Sequence, residues 1–556
     1  MKNQQSCQDN EEIYERLMNC IKSSGPDESQ QITRQFLKLS TIVEKVDFVI
    51  DLLSKYDISP EYIKDHKDNN KSSELRNKGN KLFSLKKDEE ALEMYTYSIS
   101  FAENKSENLG LAFANRSAVL FRFELFEECL RDIEKAFENN YPDALKPKIN
   151  ERKEKALSLK AKQKNLQYYQ PMPSIDVDDR NPLIECASNC VEIKNHSKLG
   201  RCIVAARDIK IGEVIAVESP TFSNLIDAKW CHCHHCFNLC YNLLPCISCT
   251  KALFCSSSCK NNSITYHKYE CPILAIIENF HSNSLIPLHI AISMRDCYKT
   301  FEAEMKESDS VYKSGRYKEI HNLVTTEFKY SHKELFEMAL RTAIYYKILR
   351  DRTYFFESCE DYKENFMKLI FKHLQNMNRH FHDIGELCQN SNGTYDDMKI
   401  GIGAYNFMSL FNHSSDPNVH RTYYGKSICM TAIKTIKKGK QLLDSFCHNY
   451  SRYPKSVRQS VLKNCHCLAC ENNWETCNEW KLTSDEFKII SPILNAAEAV
   501  GRGNLEIARK IRPHVIEVLK KNEKNPKEIA PHLLQYLRCL MIRCDIIFGN
   551  MRRSLA

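Results

Sequence analysis

The stretch CHHCFNLCYNLLPCISCTKALFCSSSCKNNSITYHKYEC, residues 233–271, is where the reading of this chain turns. Its ligand-type side chains fall in close pairs: Cys233 with Cys236, Cys246 with Cys249, Cys255 with Cys259, and His267 with Cys271. A tetrahedral Zn2+ takes four thiolate or imidazole ligands, and a close pair lets one turn of chain supply two of them. Eight candidates therefore serve two ions, leaving Cys231 and Cys240 without an assigned role. The amino-terminal MKNQQSCQDNEEIYERL is polar and lacks the apolar core of a secretory signal. That predicts a reducing, intracellular setting, in which clustered members of the 26 cysteines are metal ligands and not a disulfide framework.

A chain of 556 residues exceeds one core and predicts three or four domains. Hydrophobic content of 42% with only 15 Gly and 17 Pro reads as folded and mainly helical. The net charge of +8, from 79 basic and 71 acidic residues, forms no concentrated basic face. With few basic residues in KNNSITYHKYE, this argues against direct DNA binding by the cysteine-rich segment. No run of eighteen apolar residues predicts a membrane span.

Upstream, residues 1–70 read as helices, with FLKLSTIVEKVDFVIDLL placing Phe36, Leu39, Val43, Val46 and Ile50 near helical spacing. A repeat follows: Gly79, Ala91, Tyr95 and Ser98 recur as Ser117, Cys129, Ile133 and Ala136, at shared spacings of twelve, four and three. Small residues at helix crossings suit stacked helical hairpins of about 34 residues. YPDALKPKINERKEKAL supplies a capping helix, and the whole resembles tetratricopeptide repeats. Arg76 and Asn80 lie four apart, as do Lys148 and Arg152, with Asn115 on the helix between. Helical spacing points each pair along one face. The set is similar to the two-carboxylate clamp by which some such domains hold the acidic carboxyl-terminal tails of heat-shock chaperones. Carboxylates take charge-assisted, sometimes bidentate hydrogen bonds from Arg and Lys, which suits that task.

Residues 233–271 look like a MYND zinc finger. By that resemblance the ligands interleave, Cys233, Cys236, Cys255 and Cys259 on one ion and Cys246, Cys249, His267 and Cys271 on the other. Such fingers commonly bind proline-rich peptides, which implies a corepressor-type partner, although the spacing serves a purely structural zinc role equally well. Before the finger, CIVAARDIKIGEVIAVESP alternates apolar and polar residues around Gly212, as strands do. After a long helical stretch come IGIGAYNFMSLFNHSSDPNVHRTYYGKSICMTAIKTIKKGKQLLDSF and CHCLAC. In this order the segments resemble the SET-and-MYND lysine methyltransferases, in their repeat-bearing subclass.

The resemblance implies a multidomain α+β chain. Its segments are an N-terminal helical region (1–70), repeats (71–165), the first SET half (180–230), the finger (231–275), a helical insertion (276–395), the second SET half (396–450), a post-SET cluster (451–476) and a C-terminal helical region (477–556). It implies S-adenosyl-L-methionine as cofactor, contacted by Leu199, Gly200 and Arg201 of KLGRC and by Tyr405, Ser409, Leu410, Asn412 and His413. Protein lysines are the implied substrates, in the cytoplasm and nucleus. Methyl transfer needs the amine aligned with the sulfonium and kept neutral in a narrow apolar channel.

Four departures bear on the catalytic expectation. The family closes the channel with a third Zn2+ on a signature cysteine plus a C-x-C-x2-C; here Cys465, Cys467 and Cys470 are present, but Ser415 stands at the signature position. A hydroxyl is a poor zinc ligand beside thiolates, leaving Asp416, Cys447 or water as substitutes. Phe446 replaces a family tyrosine, SVLKNCHC carries no second one, and His380 falls where a cofactor-contacting asparagine is expected. Two readings follow: an enzyme of weakened activity, or a catalytically degenerate SET-fold adaptor joining chaperones to transcriptional partners.

Overall fold

The computed structural model describes residues 8–162, 171–197, 200–278, 280, 285–306, 310–323, 330–357, 359, 361–390, 393–446, 450–451, 453–462, 465–474, 476, 483–524 and 531–552. No helix among them is long and apolar enough to cross a membrane.

The N-terminal segment is broken differently from its apolar spacing. One helix, Pro26–Lys38, ends where Leu39 turns extended, and the next, Ile42–Lys55, starts at a capping box. Thr41 accepts from the Glu44 N–H and the Glu44 carboxylate accepts from the Thr41 N–H. Two orphan donors satisfied reciprocally outweigh continuation of the helix. The second helix buries Val46, Val49, Leu52 and Leu53. It packs on His332–Arg352 and Tyr362–His380 of the insertion. There the rings of Phe36 and Phe336 meet edge to face at 5.2 Å and Lys363 pairs with Asp47 at 2.9 Å.

Residues 69–162 form the helices Asn69–Ser84, Asp88–Phe101, Glu107–Arg122, Phe126–Phe137 and Lys146–Lys162, each packed on the next. Close crossing explains Gly79, where a Cβ would stand 2.6 Å from the Tyr95 ring. Their core takes in Trp230, Cys231 and Tyr241 at the finger's entrance. The joint is tightened by Arg116, fully buried, whose Nε and Nη2 donate to the two oxygens of Asp132 at 2.7 and 2.8 Å. Nη2 also donates to the finger's Leu243 carbonyl at 3.0 Å.

The β-rich part is assembled from segments remote in sequence. One sheet orders Met551–Arg552, Phe381–Gln389, Tyr395–Ala404 and Phe222–Leu225; another orders Val419–Tyr424, Ser427–Ala432 and Val214–Glu218. The strand Phe381–Gln389 lies inside the stretch read as helical insertion, which the helix Tyr362–His380 closes. Helices Ser484–Gly501, Leu505–Lys524 and Pro531–Phe548 build a third core that reaches Ile211, Leu387 and Ile433 of the sheets.

Candidate functional site

In the cysteine-rich segment, the short strands Leu244–Pro245 and Leu253–Phe254 pair, and the helix Ser257–Glu270 follows, capped by Ser256 accepting from the Cys259 N–H. That helix presents Cys259 and His267 and delivers Cys271 at its end. The eight ligand candidates gather in two groups, Cys233, Cys236, Cys255 and Cys259, and Cys246, Cys249, His267 and Cys271. Donor separations are 3.7 Å for Cys236 and Cys255, 3.5 Å for Cys255 and Cys259, 3.8 Å for Cys246 and Cys271, and 3.4 Å for His267 Nε2 and Cys246. Four ligands at about 2.3 Å from a tetrahedral ion stand about 3.8 Å apart, so both sets fit Zn2+. Cys231 and Cys240 stay outside both: Cys231 lies against Arg552 at 3.4 Å, and Cys240 donates to Asn242 at 3.2 Å.

The cofactor-side candidates come from two crossings of the chain. Gly200 sits at φ +70° in the turn joining Val191–His196 to Gly200–Ala205, a conformation that favours glycine. Leu199 lies outside the described residues. Arg201 Nη1 pairs with Glu319 at 3.2 Å, while its buried Nη2 has no hydrogen-bond partner among the described residues. Asn412–His413 runs parallel to Leu443–Asp444, with Asn412 opposite Leu443 and His413 opposite Asp444. Asn412 Nδ2 is likewise buried without a partner among the described residues. The strand holding Arg201 packs on the turn Met408–Leu410. Orphaned donors are costly, and a ligand carboxylate is the kind of acceptor that either of these buried groups would take.

Tyr405 is buried and spends its hydroxyl on the Lys426 carbonyl, so it offers a ring wall. Ser409 Oγ donates to the Tyr405 carbonyl at 2.6 Å, and Leu410 is buried. His413 Nδ1 accepts from the Phe446 N–H at 3.0 Å, which puts its proton on Nε2, and its ring lies 5.5 Å from that of Phe446. Burial, then the Arg458 charge, hold this imidazole down to about 4, so it is neutral. Phe446 is 42% exposed, and its ring also lies 6.3 Å from His382. His380 is the last residue of the helix Tyr362–His380.

Sequence reading missed the polar lining between these residues. Arg421, from the strand Val419–Tyr424, pairs with Asp444 at 3.3 Å and approaches His382 Nδ1 at 3.5 Å. The pair is an ion contact without hydrogen-bond alignment, since Asp444 Oδ2 has no hydrogen bond among the described residues. The burial of His382, reinforced by Arg421, drives its pKa well down, so a neutral imidazole faces the site. An arginine or histidine inside a strand sends no local signal; only pairing across elements reveals it.

Around the post-SET cysteines the substitutes divide. Asp416 is turned to Lys434 at 2.5 Å and is in none of the candidate metal groups among the described residues. Cys447 lies outside the described residues. His413 instead joins Cys465 and Cys467 as a candidate metal group. Ser415 reaches Cys467 through its N–H at 3.4 Å and Cys470 through Oγ at 3.7 Å, and the buried Arg458 donates Nη1 to Cys470 at 3.2 Å. With Nδ1 held by Phe446 and Cys470 facing a guanidinium, these residues do not make the four-thiolate site of the family.

Of the clamp candidates, Asn80 Oδ1 accepts from Asn115 Nδ2 at 2.7 Å and from the Tyr95 hydroxyl at 2.9 Å. Arg152 donates to the Ala114 carbonyl and to Ser117, both at 2.8 Å. Arg76 Nε is buried with no hydrogen-bond partner among the described residues, and Lys148 is exposed.

The SET domain family matches residues 200–447, a stretch that contains most of the strands described above and the two cysteine-rich groups. Among curated relatives, the mouse protein named Protein-lysine N-methyltransferase SMYD4 is 23% identical over 78% of this chain and 70% of its own length. The human protein of that name is 22% identical over 71% and 66%. These matches support a relation to the SET-and-MYND family, in which the chain is similar to the proteins named SMYD4. The aligned part spans about two thirds of those relatives. Among solved structures, the SET domain of LSMT bound to lysine and AdoHcy covers 65% of this chain and 85% of its own at 11% identity and a TM-score of 0.22, too distant for further comparison.

Proposed function

We propose that the chain is an S-adenosylmethionine-dependent protein-lysine N-methyltransferase, acting on histone or non-histone lysines in the cytoplasm and nucleus, with activity weakened by its own substitutions. The observation that carries this is the pair of buried donors without a hydrogen-bond partner among the described residues, Arg201 Nη2, on the strand that packs on the Met408–Leu410 turn, and Asn412 Nδ2, two residues after that turn. Arg201 and Asn412 would hold the cofactor's amino-acid end, with Gly200, Tyr405, Leu410 and His413 around it. S-adenosylmethionine, when bound, supplies an electrophilic methyl group. The chain's own part is to exclude water and align an amine. Phe446 can wall that amine in but offers no hydroxyl to orient it. One such hydrogen bond is worth about 10^2 to 10^3 in rate.

Calorimetric titration with S-adenosylmethionine tests the reading. Wild type binds, and Asn412→Ala weakens binding by about 10- to 100-fold, the worth of one charge-assisted hydrogen bond. Absence of heat from protein carrying its finger zinc would sink the enzyme reading.

The repeats favour an adaptor role alongside. Arg76 Nε has no hydrogen-bond partner among the described residues, and Asn80, Asn115 and Arg152 lie on facing helices, which supports capture of an acidic chaperone tail. Proline-rich corepressor peptides are the proposed ligands of the finger. Arg76→Ala should lower affinity for a peptide ending in an acidic carboxylate pair by about tenfold, with a salt dependence that the variant loses. Equal binding by both forms removes the clamp.

A further inference from the structure

We infer that Glu218 is a positioning residue of the cofactor pocket: its carboxylate holds the turn that carries Tyr405, Ser409 and Leu410. This rests on the proposed cofactor site. Glu218 ends the strand Val214–Glu218 and is 2% exposed. One carboxylate oxygen accepts the Phe407 N–H at 2.8 Å and the other accepts the Met408 N–H at 2.9 Å. The following turn, Met408–Leu410, is the one on which the Arg201 strand packs.

The far side of the same turn is tied as well. Asn406 Nδ2 donates to the Ser314 carbonyl at 2.6 Å, the Arg316 carbonyl at 2.9 Å and Thr221 Oγ1 at 2.9 Å. Two consecutive amide groups bound to separate oxygens fit an ionised carboxylate, the side-chain group that offers two acceptor oxygens and no hydrogen. An amide would set its NH2 against one N–H.

The cost of this arrangement is a buried charge. The titratable groups facing Glu218 are the Cys186 thiol and the Tyr312 and Tyr405 hydroxyls, none of them positive. Beyond Tyr312, Arg201 is engaged with Glu319. Burial accordingly pushes the Glu218 carboxyl up to about 7 against the pull of the backbone N–H groups. The sign follows from linkage. The folded form holds the proton more tightly than the unfolded one, so stability declines as pH rises from the ordinary carboxyl range through about 7. The turn behaves oppositely: below that pH one oxygen carries a hydrogen and one N–H loses its acceptor, so cofactor affinity rises with pH.

The test uses the full chain with Glu218→Gln, zinc content and melting temperature being matched to wild type. Two quantities are followed from about pH 6 to about pH 8. They are amide exchange of residues 405–410 without cofactor, corrected for intrinsic rate, and calorimetric affinity for S-adenosylmethionine. In wild type, protection and affinity should each climb about tenfold as Glu218 ionises, whereas the variant shows fast exchange and weak binding with no pH dependence. Wild-type-like protection in Glu218→Gln, or a flat wild-type profile, overturns the inference. Should wild type bind no cofactor while its turn still tightens with pH, the cofactor reading falls and the turn's clamp stands. If the Gln form does not fold, Glu218→Asp keeps two acceptors on a shorter arm, and loosened exchange with retained pH dependence is the supporting result; unchanged exchange is the opposing one.

Discussion

Asp132→Ala destabilises the chain by about 3–5 kcal/mol, the usual consequence of stripping one partner from a buried ion pair. Arg116 is wholly buried and serves the repeats and the finger together, through Asp132 on one side and the Leu243 carbonyl on the other. Burial pushes the Asp132 carboxyl up, yet two contacts at 2.7 and 2.8 Å on separate oxygens keep it ionised beside the guanidinium. Without Asp132 the guanidinium keeps, among the described residues, the Leu243 carbonyl, a long contact to Thr96 at 3.4 Å and the Phe113 ring at 5.4 Å. Urea titration followed by circular dichroism gives the value. The double change Arg116→Met with Asp132→Leu should recover most of it, because an apolar pair of similar volume often replaces a buried ion pair at little cost. A loss below about 1 kcal/mol for Asp132→Ala would mean that the repeats and finger are joined by packing alone.

Stripping zinc with a strong chelator dismantles the joint from the other side. Structural zinc binding is worth about 10–16 kcal/mol of folding free energy in small fingers. Few backbone ladders hold this segment beyond the pairing of Leu244–Pro245 with Leu253–Phe254. Trp230, 8% exposed against the repeats and Tyr241, reports the event. Its emission should shift to the red on chelation. Cys249→Ser should cost one metal ion and shift emission in the same way. Cys240→Ser, outside both ligand groups, should leave the metal content unchanged. Unmoved Trp230 emission after complete metal loss would show that the finger is held by its neighbours.

What could be read from residues alone was local. The candidate metal ligands announce themselves because each close pair is made by one turn, and the structure brings all eight into two groups. Asn80 and Asn115 could be placed on facing helices because hairpin repeats fix the offset between them. Features made by distant crossings were out of reach. The docking of residues 42–55 on the insertion, the Arg421 and Asp444 pair, His413 beside Cys465 and the Glu218 carboxylate under Phe407 all join segments with no spacing in common. The helical periodicity across Leu39 misled because a capping box at Thr41 outweighs one more turn. Asp416 is one of three substitutes the sequence offers beside Ser415, and its pairing with Lys434, two residues past the strand Ser427–Ala432, has no signal in the spacing.

The strand Met551–Arg552 pairs in parallel with Leu387–Cys388, and Arg552 donates to the Cys388 thiol across a separation of 164 residues while pairing with Glu386. On the ribosome this ordering has a temporal meaning. By the time Glu386 emerges, the finger ligands have been made, and the cofactor-side segment follows soon after. The outer edge of the Phe381–Gln389 strand nevertheless stays unpaired until the last helices have been translated. Long-range pairing of this kind is slow, and an open sheet edge is a template for other strands. A nascent chain paused short of residue 551 therefore displays an unfinished edge beside a carboxylate that lacks its guanidinium.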